Sequence, residues 1–580
     1  MNRSVLFIAG LQLLAALSSA QSLNLNLYED SVNAPFVYGV ASADPTDTSI
    51  LIWTATTPSS SLHGVTISWS LSTDSLFMFI VTNGTALLDS SRGYTLKTEA
   101  TGLQPGMKYY YRFEHQGTYS VTGITYTAFT TSPDSLNLAL VSCSSLFSGY
   151  FNGYRHLAQM PGLKGLIHVG DFIYDSVDPE EEVRIPLTGF EDPDENVIED
   201  WRKRHRLYLT DPDLREARRK FPWIVTWDNH DVYRNNPGTS SRAFREFVPF
   251  REDPADTLKI WRKVSYGPLL DIFMIDINIQ GGQDSFPSGT LKAMSDEQFD
   301  WLKNGLQNST ATWKFIGSEK LFAQWDLSGF PVPGGGLSKT WNGYPESRDS
   351  LLTHLRDNNI DNTVILSGDF HMNIWSDLTT DPFNPLVYDT VTGNGSIAIE
   401  MMGISLTRGN LDESGIPVSL SNNLHQASLN VNPHQSYINL FDNGFNTISL
   451  FPDSLVARSY LCPVLSLDDT FSMDAMRVCK AGDNHWLKET ATAITETELQ
   501  KTVKIFPNPS ASGVFYILLP ESNNRVKVMV SNATGKNCLS KTYTNGGLQV
   551  LNMERFSPGI YLLEATEAGG DKISAKLVIQ

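Results

Sequence analysis

Four short apolar runs each lead into side chains that bind cations or move protons. Leu138 to Val141 leads to Cys143, and Gly165 to Val169 leads through Gly170 to Asp171 and Tyr174. Trp223 to Thr226 leads to Trp227, Asp228, Asn229, His230 and Asp231, and Thr363 to Leu366 leads to Gly368, Asp369 and His371. A carboxylate such as Asp171 can bridge two cations with its two oxygens, and a tyrosine phenolate suits a hard trivalent ion. Asn229 offers an amide oxygen. His230 can donate a proton, and Asp231 is expected to orient it and raise its basicity. Period-two spacing puts Asp369 and His371 on one side of an extended segment. Singly, these are a buried thiol, a turn carboxylate beside a packed tyrosine, or a loop histidine. Jointly they form a set of hard ligands at four strand ends. Adjacent cations there would polarise a phosphoryl oxygen, generate hydroxide near neutral pH and neutralise charge during in-line displacement.

The elements that must hold these residues follow from patterning. From about 24 to 132, apolar and polar residues alternate between closely spaced turns, as in Val65-Thr66-Ile67-Ser68-Trp69 and Tyr109 to Phe113. That rhythm predicts a β-sandwich, and Leu103 to Tyr109 resembles the tyrosine-bearing turn of a fibronectin-like module. From 133 to about 484, short apolar strands alternate with amphipathic helices, one opened by the capping box Ser295 to Gln298 and another over Glu346 to Arg356. Strand–helix alternation predicts an α/β layered core, in which ligand sites lie beyond the carboxyl ends of strands. Residues 485–501 read as a polar linker, and 502–580 return to alternating strands.

The order of these motifs resembles that of PhoD-type alkaline phosphatase/phosphodiesterases of the calcineurin-like metallophosphoesterase superfamily. The resemblance spans residues 36 to about 480. Gly39-Val40-Ala41-Ser42-Ala43-Asp44-Pro45 with Ile52-Trp53-Thr54 is similar to that family's N-terminal stretch. Gly170-Asp171-x-x-Tyr174, Trp227 to Asp231 and Gly368-Asp369-x-His371 follow in the family's order, with Cys143 in place of the usual opening Asp-x-His. The resemblance implies a βαβ-sandwich core and secreted phosphate-ester hydrolysis for phosphate acquisition. It implies Fe3+ held by Cys143, Asp171, Tyr174 and His371, with Ca2+ beside it on Asp171, Asn229 and Asp369. His230 would be the proton donor. Asp228-Asn229-His230-Asp231 departs from the family's more frequent Asp-Asp-His-Glu, so Zn2+ or Mn2+ stands as an alternative second metal. Arg155, Arg202 and Arg234 are candidates for the substrate-binding arginine, with Arg234 preferred. The competing reading is an inactive surface binding or adhesion protein on the same scaffold; the intact ligand set argues against it.

The C-terminal Val503 to Pro509, Gly513-Val514-Phe515, Phe556 to Leu562 and Lys576-Leu577-Val578 resemble a type IX secretion sorting domain of Bacteroidetes. That implies the type IX machinery as a partner and a secreted or cell-surface destination. Arg3, the apolar run Val5 to Leu17 and the small residues Ser18-Ser19-Ala20 read as a signal peptide over 1–20. The run is shorter than the ~20 residues a membrane span needs, and no other segment qualifies, so a mature protein without a transmembrane helix is expected. A net charge of −19 over 580 residues argues against a nucleic-acid-binding role. The basic stretch Arg202 to Arg206 with Arg215 to Lys220 reads as a solvated helix face. Four cysteines are too few for a disulfide scaffold, although Cys462 and Cys479 are close enough in sequence to pair. Substrate choice is expected to rest in loops such as Ile185 to Asn196 and Gly281 to Thr290.

Overall fold

A computed structural model describes residues 31–487, except 178–180, 185–190, 329–333 and 412–415, and residues 504–579 apart from a few short segments. The expected signal at 1–20, linker residues 488–501 and residues 185–190 of the acidic loop lie outside the described residues. The chain divides into two compact units, 1–488 and 489–580.

In the first unit, alternating strand faces produce four layers. A nine-stranded sheet has the parallel strands Leu136–Val141, Leu163–Val169 and Pro222–Thr226 in its middle. A seven-stranded sheet carries Leu270–Met274, Trp313–Lys320, Thr363–Gly368 and Ala398–Met402 in parallel. Leu138, Leu140, Ile167, Val169 and Ile224 of the first sheet share one buried cluster with Ile272, Met274, Phe315, Val364 and Leu366 of the second. The intervening residues point outward. Ala139, Val141, Leu166 and Val225 pack with Tyr154, Trp201, Leu214 and Phe244 of the helices Asn152–Gln159, Ile198–Tyr208, Pro212–Lys220 and Pro237–Phe247. Phe273, Ile316 and Ile365 pack with Leu302 and Leu351 of Asp296–Gln307 and Pro345–Asp357. Each such aliphatic or aromatic side chain contributes ~1.5–3 kcal/mol of burial, so strand register is strongly specified. Ser295 caps its helix, accepting from Gln298 N, but the reciprocal half of the expected capping box is replaced: Ser295 N donates to Gln280 Oε1, and the Gln298 side chain bonds Asp276 and Gln280.

The N-terminal strands are not a free-standing module. Val40–Ala43 pairs in parallel with Pro222–Thr226, and Ser49–Ala55 and Thr95–Thr101 continue the nine-stranded sheet. Their other face, with Ile50, Ile52 and Leu96, packs on Ile67, Leu71, Tyr109 and Phe113 of a separate five-stranded sheet. The expected sandwich therefore shares a sheet with the α/β core. Its tyrosine turn closes through Gln104 N donating to Tyr109 Oη at 2.8 Å.

Two further expectations are corrected. Cys462 and Cys479 are free. In the hairpin of Ser454–Leu461 and Ser472–Lys480, Cys479 pairs with Leu455 while Cys462 follows Leu461, so the thiols sit at opposite ends. The basic helix face is not solvated: Arg202, Arg204, Arg206 and Arg218 are buried, with Arg202 paired to Glu246 at 2.7 Å. The second unit has a three-stranded and a four-stranded sheet, joined by a core that includes Phe515, Ile517, Val528, Leu563 and Leu577.

Candidate metal centre and active site

The strand exits of both sheets converge. Cys143 N donates to Gly170 O at 3.2 Å and Ser144 N to Asp171 O at 3.0 Å, which stitches the first two exits together. Gly170 has φ +109°, and a Cβ there would lie 2.7 Å from the Asp228 Cβ, so both backbone conformation and space demand glycine. Cys143, Asp171, Asp369 and His371 all have positive φ, between 53° and 71°. Non-glycine residues in this region each cost of order 1–3 kcal/mol, a strain that the surrounding sheets must overcome.

Sulfur, carboxylate and imidazole ligand atoms of Cys143, Asp171 and His371 lie within 4.8 Å of one another. The Tyr174 hydroxyl joins them, 3.0 Å from Asp171 Oδ2 and 3.0 Å from His371 Nε2. Cys143, Asp171 and Tyr174 form a buried floor, while Asn229, His230, Asp369 and His371 open toward solvent. Burial and the Asp171 charge push the Cys143 thiol well above its usual range, and burial with Asp171 and Cys143 does the same to the Tyr174 phenol. Asp171 is also raised, chiefly by burial. His371 is held well below its ordinary value by burial and by the Arg408 and His230 charges, leaving the neutral ligand form. A cation bound by thiolate, phenolate and carboxylate would replace the protons these groups otherwise retain, so the donor set fits a highly charged metal ion.

His230 stands beside this floor, its ring centroid 4.2 Å from that of Tyr174. Its partner is not the expected Asp231. His230 Nδ1 lies 2.6 Å from Asp175 Oδ1, and Tyr233 Oη donates to the other Asp175 oxygen. Burial alone would push the imidazole down, but the Asp171 charge and the Asp175 hydrogen bond carry it above its usual value. Asp231 is fully buried and accepts from Phe172 N, Ile173 N and Asp228 N at 3.0–3.2 Å. It fixes the turn that aims Asp171 and Tyr174. Behind that turn, Tyr208 Oη accepts from Tyr174 N at 2.8 Å, and Arg204 donates to the carbonyls of Tyr174 and Asp175.

The position expected for a second cation holds a side chain. Lys320 ends the strand Trp313–Lys320, and its Nζ lies 2.6 Å from Asp228 Oδ1 and 2.8 Å from Asn229 Oδ1, and also contacts Asp369 Oδ1. Burial would lower the lysine, but Asp228, Asp369 and Asp171 outweigh it and raise it above its usual value. The Asn229–Asp369 pair is therefore occupied by an ammonium, an arrangement that does not fit Ca2+, Zn2+ or Mn2+ on the same oxygens.

Among the arginines, Arg155 pairs with Asp213 and Asp469, and Arg202 with Glu246, away from the cluster. Arg234 donates to the carbonyls of Ile277 and Asn278. Arg408 lies over the Tyr174 ring at 5.6 Å and pairs with Glu181. Its backbone N donates to the Cys143 carbonyl at 3.3 Å. Asp175, Lys320 and Arg408 are the site residues that sequence reading missed. Asp175 directly follows Tyr174, and Lys320 ends a fifth apolar strand; Arg408 has no comparable signal.

Strand ends from two facing sheets, with side chains that can bind cations at four of them, give the layered α/β arrangement that the comparisons identify. The chain belongs to the PhoD-like phosphatase family, whose model matches residues 138–458, preceded by the PhoD-like phosphatase N-terminal domain over 20–129. It is 30% identical over 445 residues to alkaline phosphatase D of Bacillus subtilis (strain 168), covering 69% of this chain and 74% of that protein. A solved structure of PhoD superposes with a TM-score of 0.67 at 25% identity, covering 80% of this chain and 93% of the other. Residues 504–580 match the secretion system C-terminal sorting domain, which directs the protein to the cell surface or extracellular space.

Proposed function

We infer that this protein is a metal-dependent phosphatase or phosphodiesterase that hydrolyses phosphate esters outside the cell. The observation that carries the reading is the Cys143–Asp171–Tyr174–His371 cluster beside the His230–Asp175 pair. Ferric iron is the ion this donor set favours, because thiolate, phenolate and carboxylate together offset a trivalent charge. When bound, it would supply Lewis-acid polarisation of the phosphoryl group and lower the pKa of the attacking water. The chain's own residues do the rest. Asp231 holds the turn that aims Asp171 and Tyr174. Asp175 holds the His230 Nδ1 proton, orients the ring and favours the imidazolium, whose second proton, on Nε2, passes to the departing alkoxide. Arg408 places a guanidinium beside the cluster, suited to a phosphate oxygen.

The test is hydrolysis of chromogenic phosphate mono- and diesters at alkaline pH, alongside elemental analysis. Activity abolished by chelation and by Asp171→Ala supports the reading. Full activity in Asp171→Ala overturns it. A metal-free, inactive wild type that iron does not restore would favour the surface-binding alternative.

A further inference from the structure

The two halves of the polar centre are built differently. On the Cys143 side, four protein ligands face one another. On the Asp369 side, Lys320 Nζ meets both Asp228 oxygens, at 2.6 and 2.7 Å, the Asn229 amide oxygen and one Asp369 oxygen. An ammonium has three hydrogens, and three residues accept them here. The lysine side chain is 5% exposed and cannot retreat into water. It is also held from its backbone: Lys320 pairs with Gly368, the residue before Asp369, after a register irregularity in the strand. A metal ion taking the same carboxylate and amide oxygens would need them at ~2.0–2.6 Å and would press directly on the ammonium.

We propose that Lys320 is a tethered cation standing where a second metal ion would sit, so that the centre holds one metal, on Cys143, Asp171, Tyr174 and His371. This rests on the metallophosphoesterase reading above and specifies its ion content. The lysine supplies a permanent positive charge beside Asp228 and Asp369 without drawing on environmental calcium. The first site keeps its four ligands, none of which Lys320 contacts by hydrogen bond.

Metal content of the purified full-length protein decides the matter. Wild type, Lys320→Ala and Lys320→Arg are equilibrated with iron and calcium, desalted, and counted by elemental analysis, with the visible tyrosinate–iron band as the check on the first site. One additional ion per chain in Lys320→Ala, absent from wild type and Lys320→Arg, is the expected result. Equal counts in wild type and Lys320→Ala overturn the proposal. Should Lys320→Ala fail to fold, wild-type crystals soaked in manganese serve instead. An anomalous peak among Asp171, Asn229 and Asp369 overturns the proposal, and none there supports it. A wild type carrying two ions and hydrolysing esters removes the lysine proposal alone. A wild type with no metal and no hydrolysis removes the functional reading with it.

Discussion

His230 Nδ1 and Asp175 Oδ1 lie 2.6 Å apart, so the acid candidate is oriented from the tyrosine turn and not from its own loop. Asp231, next to His230 in sequence, spends both oxygens on backbone amides. The two carboxylates should therefore fail differently. Asp175→Asn removes a group that raises the His230 pKa, so a smaller fraction of His230 is protonated at alkaline pH. The alkaline limb of the kcat profile should move to lower pH, with kcat falling by part of the ~10²–10⁴-fold that His230→Ala removes. Asp231→Asn should instead lower thermal stability and metal retention, with the limb unmoved in whatever enzyme stays loaded. A common shift in both variants would contradict the assignment.

Iron on Tyr174 and Cys143 would have a colour. Tyrosinate–iron(III) absorbs visible light, and Tyr174→Phe should bleach the purified protein. Cys143→Ser should displace or abolish the band, since an alkoxide or hydroxyl replaces the thiolate. Both donors are raised in pKa while no cation offsets their burial, so metal uptake should release protons and weaken as pH falls. A colourless wild type with full activity would exclude the tyrosinate centre. Titrating the apoprotein with iron in weak buffer measures the released protons directly.

Much of this was legible in sequence, for definite reasons. Cys143, Asp171, Tyr174, Asp369 and His371 each sit two to five residues past an apolar run, and in a layered α/β fold a strand's end fixes a residue's place. The alternation of Leu138 and Leu140 against Ala139 and Val141 likewise encoded the two faces of one strand. What stayed hidden depended on partners distant in sequence. The Asp175–His230 contact spans 55 residues and Lys320–Asp228 spans 92, and no periodicity encodes such a pairing. Arg202 and Arg204 looked like a solvated face because helical pattern alone does not reveal Glu246 or the Tyr174 carbonyl waiting beside them. The shared N-terminal sheet escaped for the same reason: Val40–Ala43 finds Pro222–Thr226 only in three dimensions.

Arg234 and Arg408 offer competing positions for a phosphate-binding guanidinium. Both are held by partners, Arg234 by the carbonyls of Ile277 and Asn278 and Arg408 by Glu181, but Arg408 lies beside Tyr174 and bears on His371. Arg408→Ala should raise KM for a phosphate monoester ~10–100-fold, the loss of one charge-assisted contact of ~1.5–3 kcal/mol, with metal content unchanged. Arg234→Ala should leave KM within about twofold and act on stability, through loss of its carbonyl contacts. Steady-state kinetics on metal-matched preparations separate the two, and the reverse ranking would return the role to Arg234.

Acid should unfold the first unit through two buried histidines outside the ligand cluster. His205 lies on the Ile198–Tyr208 helix, stacked on Phe247 at 5.4 Å, with neither ring nitrogen hydrogen-bonded. Burial first, then the charges of Arg218, Arg204 and Arg206, push it down to about 3. His168, also buried, is pushed down to about 3 and keeps one hydrogen bond, at 3.0 Å to Ser144 Oγ. An unfolded histidine titrates near 6.5, so over the interval from about 6.5 down to about 3 the unfolded chain binds protons that the folded one refuses. Stability is therefore fully present above that interval and is lost as pH falls, by up to ~1.4 kcal/mol per pH unit for each histidine. His205→Phe fills the same space against Phe247 with no group to protonate. It should leave stability near pH 8 within ~1 kcal/mol and flatten the acid limb of the urea midpoint by about one proton. An unchanged slope would show that His205 is not held neutral in the folded protein.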